Sequence, residues 1–263
     1  MSQKFLLCEP NYFQIEYQIN PYMRLDQRVD PEAAISAWHQ LVACIVQCGG
    51  EVVTTLPQPD CPDMVFTANA GLVIDQHIIL SQMQCAERAA EIPWFKTFFE
   101  EQGYTVYEAI AGAFEGEAEA VCVDGRWYVG YGFRSDKSFY DDHPFFKAQQ
   151  KVYCELVSPE FYHLDTCFLS LGDGNALWYP PAFTEKSQHD MQQQGLNLFD
   201  VSDADARRFA CNSIIIDKHI IVPQGCDATT PHLRELGFTI HELDMSQFLK
   251  AGGACNCMVL NLS

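Results

Sequence analysis

The feature that most constrains the fold is an internal repeat of apolar hairpins. Four stretches each read as a strand, a short turn containing Asp or Gly, and a second strand: residues 70–80, 120–129, 168–178 and 213–222. The turn aspartates lie 49, 49 and 44 residues apart and are Asp75, Asp124, Asp173 and Asp217. Amphipathic segments with helical spacing, such as residues 86–102 before Gly103, fill the gaps. A period of 45 to 50 residues therefore predicts repeated ββα units.

A polar residue stands at or just before the first strand of each unit. These residues are Asn69, Glu119, Asp165 and Asn212, and Cys257 opens a fifth apolar run, residues 258–262. Their spacings are 50, 46, 47 and 45 residues. If the units close around an axis, equivalent positions converge, so we expect these five side chains to face one central cavity. The alternative for each position is the ordinary capping of a turn.

The two ends of the chain complete the fifth unit. Residues 5–8 read as a strand, and residues 31–48 read as a helix that ends at Gly49 and Gly50. No Pro/Ser-rich linker divides the sequence. The sequence thus predicts an α/β fold, with residues 1–263 forming a single catalytic domain around a pseudo-fivefold axis.

Composition limits the classes of function. The 263 residues are 48% hydrophobic, and no stretch approaches the roughly 20 apolar residues of a membrane span or resembles a signal peptide. The twelve cysteines lie mostly in apolar segments, as Cys44 and Cys122 do, so buried free thiols and the cytoplasm are expected. A net charge of −19 repels nucleic acid and anionic membranes and is compatible with a small cationic substrate. The sequence leaves open whether the chain forms a homo-oligomer.

Two cysteines near the C-terminus could serve as a nucleophile, as metal ligands or as apolar residues. Cys255 and Cys257 flank one asparagine, and His163, Asp165 and Cys167 alternate along another segment. Neither pattern has the paired spacing that zinc sites favour. We therefore expect no catalytic metal and no cofactor.

Several motifs together resemble the guanidine-modifying enzymes. They are Asn-Pro-Tyr-Met at 20–23, Pro-Asp-Met-Val-Phe-Thr-Ala-Asn at 62–69, Glu-Arg at 87–88, Phe-Glu-Gly at 114–116, Gly-Phe-Arg at 132–134, Phe-Tyr-His-Leu-Asp at 161–165, and Gly-Gly-Ala at 252–254 with Cys257. The superfamily includes arginine deiminases, dimethylarginine dimethylaminohydrolases, amidinotransferases and ornithine-producing arginine dihydrolases. The resemblance runs from about residue 5 to residue 262. It implies the five-bladed α/β propeller called the pentein fold.

The resemblance also implies a catalytic set. Cys257 would be the nucleophile, because a soft thiolate that forms a covalent amidino adduct divides a difficult hydrolysis into two easier steps. His163 would be the general acid and base. Glu115 and Asp165 would hold the guanidinium by charge-assisted hydrogen bonds, with Asp63 as a further substrate-binding acid. Cys255 is the alternative nucleophile, on the same face as Cys257 if the segment is an extended strand.

Four further residues are implied to bind the substrate. Arg88 and Arg134 match positions that grip the α-carboxylate in relatives, and Asn69 and Asn20 belong to matching motifs. The chain departs from the family where relatives usually read Phe-Glu-Gly-x-Gly-Asp, because it has Ala118 and Glu119 at the last two positions. This departure leaves the shape of the carboxylate clamp open.

Among these enzymes the local motifs look most like the arginine dihydrolases, which would convert arginine into ornithine, two ammonia molecules and carbon dioxide. Asp165 favours an unmethylated guanidinium, because it could hold an N–H that a dimethylated nitrogen lacks. The alternatives are a dimethylarginine hydrolase or arginine deiminase giving citrulline. More remote are a non-catalytic binding module, such as translation initiation factor six, and a regulator that binds arginine without turnover.

Overall fold

The predicted hairpin units are present as five small β-sheets. In the computed structural model, which describes residues 2–110 and 112–263, each sheet has three strands. The strands are β1 (Lys4–Cys8), β2 (Glu51–Thr55), β3 (Gly71–Ile74), β4 (His77–Leu80), β5 (Thr105–Glu108), β6 (Ala120–Val123), β7 (Arg126–Tyr131), β8 (Lys151–Glu155), β9 (Phe168–Gly172), β10 (Asn175–Trp178), β11 (Asn197–Asp200), β12 (Ile214–Ile216), β13 (His219–Pro223), β14 (Thr239–Leu243) and β15 (Leu260–Asn261). The sheets are β15-β1-β2, β3-β4-β5, β6-β7-β8, β9-β10-β11 and β12-β13-β14. The α/β class and the fivefold repeat are confirmed.

Each unit contains one more strand than the repeat analysis predicted. In the second sheet, Leu72 of β3 pairs antiparallel with Ile79 of β4, and Ile78 of β4 then pairs in parallel with Val106 of β5. The unit is therefore ββαβ, because a helical crossover joins the two parallel strands. The prediction missed the third strand because its residues are largely exposed. In β5, for example, no residue is buried, so the strand carries no apolar run.

The crossover helices follow the predicted amphipathic segments. The α-helices are α1 (Pro31–Gln47), α2 (Ile92–Glu101), α3 (Lys137–Asp142), α4 (Pro144–Lys147), α5 (Glu185–Gln192), α6 (Asp203–Ala206), α7 (Thr229–Glu235) and α8 (Ser246–Leu249). In α1 the side chain of Asp30 accepts hydrogen bonds from the first-turn N–H groups, and the helix ends before Gly49, whose φ is 93°. The predicted helix at 86–102 is a 3-10 helix, Ala86–Glu91, followed by α2.

Aspartates shape four of the hairpin turns. Asp75, Asp124, Asp173 and Asp217 have φ values of 53°, 50°, 51° and 52°. Aspartate tolerates this left-handed conformation better than most residues do, and a positive φ matches the twist of the flanking strands. The repeated aspartate therefore marks the same backbone geometry in four units.

The N-terminal and C-terminal segments share one sheet, which closes the ring. In β15, Leu260 and Asn261 pair antiparallel with Leu6 and Phe5 of β1. This pairing confirms that residues 5–8 complete the fifth unit. The predicted fifth strand is much shorter than residues 258–262, because residues up to 258 form a 3-10 turn.

The in-phase polar residues stand at equivalent places, directly before the first strands. Four of them lie in 3-10 helices, which are Thr67–Asn69, Gly116–Glu119, Leu164–Thr166 and Asn256–Met258. Asn69, Glu119, Asp165, Asn212 and Cys257 are all buried. The further 3-10 helices are Pro62–Val65 and Pro180–Ala182. The repeat thus delivers five polar side chains to the interior.

All twelve cysteines are free thiols. Ten are buried, as predicted, but Cys85 is half-buried and Cys122 is exposed. Cys122 differs from its prediction because its position in β6 faces an open cavity instead of a packed core. Among the described residues, no helix combines the length and the apolar character that crossing a membrane requires.

We expect packing at the closing sheet, where β15 meets β1, to contribute strongly to the free energy of unfolding. Leu6 is fully buried and pairs with Leu260 across the closing sheet. Leu6→Ala should therefore lower the free energy of unfolding by about 2–5 kcal/mol in chemical denaturation, because it leaves a cavity at the seam. The matched control, Leu56→Ala, changes a side chain that is 78% exposed and should cost no more than about 0.5 kcal/mol. Equal losses in the two variants would contradict this account.

Candidate active site

The thiol of Cys257 contacts two of the other in-phase residues. Its Sγ lies 3.1 Å from Nδ2 of Asn212 and 3.6 Å from Oδ2 of Asp165. The Oδ1 of Asn212 accepts hydrogen bonds from the backbone N–H groups of Cys257 and Ala254 at 3.1 and 3.2 Å. Burial, and next the charge of Asp165, raise the pKa of the Cys257 thiol well above its ordinary value. The cysteine is therefore a neutral thiol at rest, with Asp165 accepting its S–H.

Asp165 has one satisfied and one unsatisfied carboxylate oxygen. Its Oδ2 accepts from Nδ2 of Asn212 at 2.9 Å and from Nδ2 of Asn256 at 3.1 Å, besides the thiol. Its Oδ1 is buried and, among the described residues, has no hydrogen-bond partner. Burial raises the pKa of this carboxyl group against the opposing effect of His163. A buried free acceptor beside the sulfur is suited to an N–H donor from a ligand.

His163 is held by a buried carboxylate. Its Nε2 lies 2.7 Å from Oε2 of Glu115, which also accepts from Nη1 of Arg134 at 3.1 Å, and the backbone N–H of Gln84 donates to Oε1 at 3.1 Å. Burial alone would raise the pKa of Glu115, but the His163 hydrogen bond and the Arg134 charge outweigh it and lower the pKa to about 2. Burial lowers the pKa of His163. The neutral ring donates from Nε2 to an ionised Glu115, which leaves Nδ1 as the acceptor.

The two arginines are tied to protein groups. Arg134 stacks over Tyr162, with its guanidinium carbon 4.7 Å from the ring centre, and donates to the backbone carbonyl of Ile19 at 2.9 Å. Arg88 forms a bidentate ion pair with Glu91, with both N–O distances 2.8 Å. Both guanidinium groups are nearly fully buried. Each arginine supplies fixed positive charge to the site. Most of the N–H donors of each guanidinium group are already hydrogen-bonded to other protein groups.

Asn69 and Asp63 complete the same wall. Asn69 accepts from Nη1 of Arg88 at 2.6 Å and donates to the backbone carbonyl of Glu115 at 3.1 Å. Asp63 accepts from the Tyr17 hydroxyl at 2.9 Å through Oδ2. Its Oδ1 is a second buried acceptor that lacks a partner among the described residues. Burial raises the pKa of Asp63.

These groups surround a narrow pit. The predicted site residues that line it are Asn20, Asp63, Asn69, Arg88, Arg134, His163 and Cys257. Its volume is about 10 Å³, which is room for roughly one water molecule. Glu115 and Asp165 lie behind this lining. Seven of the nine predicted residues thus share one cavity, and the other two contact members of that group.

Asn20 holds in place a segment that lines the pit, residues 20–23. Its Nδ2 donates to the backbone carbonyl of Ala251 at 2.9 Å and to the Tyr162 hydroxyl at 3.2 Å. Its Oδ1 accepts from the backbone N–H groups of Tyr22 and Met23 at 2.9 and 3.2 Å. All four hydrogen-bonding positions of Asn20 are therefore engaged, and they tie residues 20–23 to the C-terminal loop.

Asp165 also faces a second cavity. This cavity has a volume of about 600 Å³ and extends along the first strands toward the turns at Asp173 and Asp217. The expectation that all five in-phase residues face one cavity is therefore wrong. Asn69 and Cys257 line the pit, whereas Asp165 borders the larger cavity, and Asn212 links Asp165 to the thiol.

The altered acidic segment holds backbone groups. Glu117 accepts from the N–H of Asn261 at 2.8 Å, and Glu119 accepts from the N–H of Leu164 at 3.2 Å. Burial raises the pKa of Glu117 to about 7 and that of Glu119 well above its ordinary value. Glu119 does not line the pit, because its longer side chain turns toward Leu164 and Gly130.

Cys255 lies apart from this chemistry. The segment after it is a 3-10 turn instead of an extended strand, so Cys255 and Cys257 do not share a strand face. Cys255 is fully buried and, unlike Cys257, does not line the pit. Burial raises its pKa beyond the range of an ordinary thiol. The geometry therefore singles out Cys257.

Sequence reasoning missed several neighbours of the site. Asn212 was in phase but had no assigned role, and Asn256, Tyr162, Tyr17 and Glu91 were not considered. Glu91 could have been found, because it stands three residues after Arg88, where side chains meet on a helical turn. The tyrosines carry no comparable signal, because their contacts depend on how distant loops meet.

Comparisons with known proteins identify the family. The family model described as "N,N dimethylarginine dimethylhydrolase, eukaryotic" matches residues 9–263. An uncharacterized protein of Caenorhabditis elegans is 38% identical over 263 residues, covering 99% of this chain and 94% of that protein. The bifunctional arginine dihydrolase/ornithine cyclodeaminase ArgZ of Synechocystis sp. is 38% identical over 269 residues, covering 99% of this chain. This chain spans only 38% of that bifunctional protein.

A solved structure confirms the fold. The N-terminal domain of ArgZ, described as an arginine dihydrolase bound to product, superimposes with a TM-score of 0.94 at 36% identity, covering 100% of this chain and 98% of that one. The N(G),N(G)-dimethylarginine dimethylaminohydrolase of Mycobacterium tuberculosis is 30% identical and covers 99% of this chain and 86% of its own length. The five-bladed pentein propeller implied by the motifs is thus confirmed. By fold and by sequence, this chain belongs to the N,N-dimethylarginine dimethylhydrolase family of the guanidine-modifying hydrolases.

Proposed function

We propose that this protein hydrolyses arginine to ornithine, two ammonia molecules and carbon dioxide through a covalent adduct on Cys257. The observation that carries the proposal is the free Oδ1 of Asp165, a buried acceptor whose carboxylate also contacts the thiol 3.6 Å away. An arginine guanidinium supplies the N–H donors and the positive charge that such a carboxylate lacks. The relatives named as arginine dihydrolases, 37–38% identical over 99% of this chain, support the same reaction.

Substrate charge activates the nucleophile in this mechanism. The resting thiol is neutral because it is buried beside Asp165. A bound guanidinium places positive charge next to the sulfur and favours the thiolate. His163, which lines the same pit and carries an acceptor nitrogen, takes the thiol proton. The thiolate attacks the guanidinium carbon, and protonated His163 returns the proton to the departing ammonia.

A second hydrolysis separates the dihydrolase from a deiminase. Water activated by His163 adds to the carbon of the amidino adduct. Expulsion of the thiolate at this point would give citrulline, whereas loss of a second ammonia leaves a carbamoyl group on sulfur. Hydrolysis of that adduct releases ornithine and carbon dioxide. Asn69, anchored by Arg88, and Asp63 are the groups in the pit that would hold the substrate through both steps.

The arginines contribute positioning and charge. We propose that Arg134 and Arg88 provide the positive potential for the substrate carboxylate, and that Glu115 orients His163 and Arg134. Residues 20–23 would act as a cover over the pit, and the hydrogen bonds of Asn20 would hold this cover in place. A pit of about 10 Å³ cannot hold arginine, so this cover has to open for binding.

A second candidate is dimethylarginine hydrolysis to citrulline. The description of the matching family model favours it. The unpaired oxygen of Asp165 favours arginine instead, because a dimethylated nitrogen lacks the N–H that Asp165 would accept.

We also propose that residues 1–263 act as a single catalytic domain in the cytoplasm. The twelve free cysteines support a reducing compartment. The substrate is a small guanidino compound, and the net charge of −19 disfavours nucleic acid and membrane partners.

Substitution of the two C-terminal cysteines tests the nucleophile. We expect Cys257→Ala to lower kcat on the order of 10⁴-fold or more, because no other group in the pit can form the adduct. The matched Cys255→Ala variant should retain nearly full activity and should still show an adduct of the substrate carbon on Cys257 in mass spectra of quenched protein. Activity that persists in Cys257→Ala, or an adduct located on Cys255, would overturn the mechanism.

Product analysis tests the reaction. With arginine, we expect ornithine and ammonia in a 1:2 ratio and no accumulation of citrulline, as measured by amino-acid chromatography and an ammonia assay. With dimethylarginine, kcat/KM should be at least about 100-fold lower, because a site built to pair an N–H discriminates against ligands that lack it. Citrulline accumulating without ornithine would exclude the dihydrolase, and faster turnover of dimethylarginine would select the second candidate.

The pH profile tests the role of Asp165. Because burial and Asp165 raise the pKa of Cys257 in the free enzyme, kcat/KM for arginine should rise with pH above neutrality. Asp165→Asn removes a negative charge beside the sulfur, so the ascending limb should move to lower pH by about one unit, while kcat falls.

Asp173→Asn is the matched control, since the side chain of Asp173 is 87% exposed in a hairpin turn. It should leave the pH profile unchanged. If the rising part of the kcat/KM profile stays in place or moves to higher pH in Asp165→Asn, this carboxylate does not act on the thiol.

A further inference from the structure

A second group of reactive side chains lies away from the pit. Cys44 lies in the last turn of α1, Cys48 caps the C-terminus of that helix, and His241 lies on β14. One ligand atom from each residue lies within 4.8 Å of the other two. Within residues 2–110 and 112–263, these are the only three His, Cys, Asp or Glu side chains that meet in this way. None of the three takes part in the proposed hydrolysis.

The donor set matches a specific class of metal. Two thiolates and a neutral imidazole are the ligands that Zn²⁺ prefers, and hard cations such as Mg²⁺ and Ca²⁺ take oxygen ligands instead. The sulfurs are largely shielded, since Cys44 is 5% exposed and Cys48 is 7% exposed, while His241 is half-buried. A metal ion could therefore reach the group from the histidine side and be held against the helix.

A further histidine orients the imidazole. Nδ1 of His219, on β13, lies 3.0 Å from Nε2 of His241. Histidines that bind metals typically use the second ring nitrogen for a hydrogen bond that fixes the tautomer and the ring plane. With the metal on Nδ1 of His241, the contact of His219 with Nε2 would provide this support.

The group joins the two ends of the repeat. The helix α1 connects β1 to β2 in the sheet that closes the ring, whereas β14 is the third strand of the last sheet before closure. The two elements pack against each other. A metal held by all three residues would link the first unit to the last, at a place separate from the pairing of β15 with β1.

We propose that Cys44, Cys48 and His241 form a binding site for Zn²⁺, with His219 orienting His241 and water as the fourth ligand. The site clamps α1 to β14 and stabilises the closed ring. Sequence spacing could not reveal it, because His241 is 193 residues from Cys48 and the cysteines are separated by three residues instead of two.

Metal titration of the full chain tests the proposal. Cys257→Ser serves as the background, because it removes the thiol of the catalytic pit as a competing ligand. After dialysis against a chelator, Zn²⁺ should bind with one equivalent in calorimetry and raise Tm by roughly 5 °C. Co²⁺ should produce the intense near-ultraviolet absorption of a thiolate–cobalt bond.

Variants assign the site. Cys48→Ser and His241→Gln, each in the same background, should abolish the cobalt–thiolate band or weaken binding at least about 100-fold, and His219→Ala should weaken it about 10- to 100-fold. The matched control is Cys122→Ser, since Cys122 is an exposed thiol elsewhere, and it should bind as the background does. His241→Gln alters a half-buried side chain, so it remains informative if the cysteine variant does not fold.

Two results would overturn the proposal. One is the absence of stoichiometric binding in the folded background protein. The other is binding that stays unchanged in both His241→Gln and Cys48→Ser. Neither result bears on the hydrolysis of arginine, which is measured in protein that retains Cys257.

Discussion

The pairing of β15 with β1 is the constraint on which the rest of the structure depends. Cys257 lies only three residues before β15, so its position at the axis follows from where that strand docks. Asn212 and Asp165 belong to two other units and meet the sulfur only when the ring is closed. Cys257 and its neighbours are thus brought together by a pairing between the two ends of the described chain, instead of by any local motif.

Burial of charge explains why the site requires a cationic ligand. Glu115 is compensated by Arg134 and His163, and Glu91 is compensated by Arg88. Among the described residues, Asp165 and Asp63 form no salt bridge, and burial raises the pKa of both against the opposing charges nearby. A guanidinium compensates such acids better than a neutral molecule does. These two buried carboxyl groups at the pit therefore complement the positive charge of the proposed substrate.

The sequence predicted the features that repeat along the chain and missed the contacts that occur only once. The hairpins, the turn aspartates and the in-phase residues were visible because each occurs several times at one spacing. The third strands escaped because most of their residues are partly or fully exposed, and Glu119 was misplaced because its carboxylate turns to accept from the N–H of Leu164. The contacts of Tyr17, Tyr162 and His241 join segments far apart in sequence, so no periodicity could indicate them. Motif resemblance predicted the residues that gather at the pit but could not show that Glu115 stands behind His163.

The small volume of the pit has a consequence for chemical selectivity. The pit has room for about one water molecule, and burial raises the pKa of the Cys257 thiol, so both features protect the sulfur from alkylating agents and peroxides. Effective covalent inhibitors would need a cationic head that loosens the cover and ionises the sulfur on arrival. Uncharged electrophiles of equal intrinsic reactivity would modify the exposed Cys122 long before they reached Cys257.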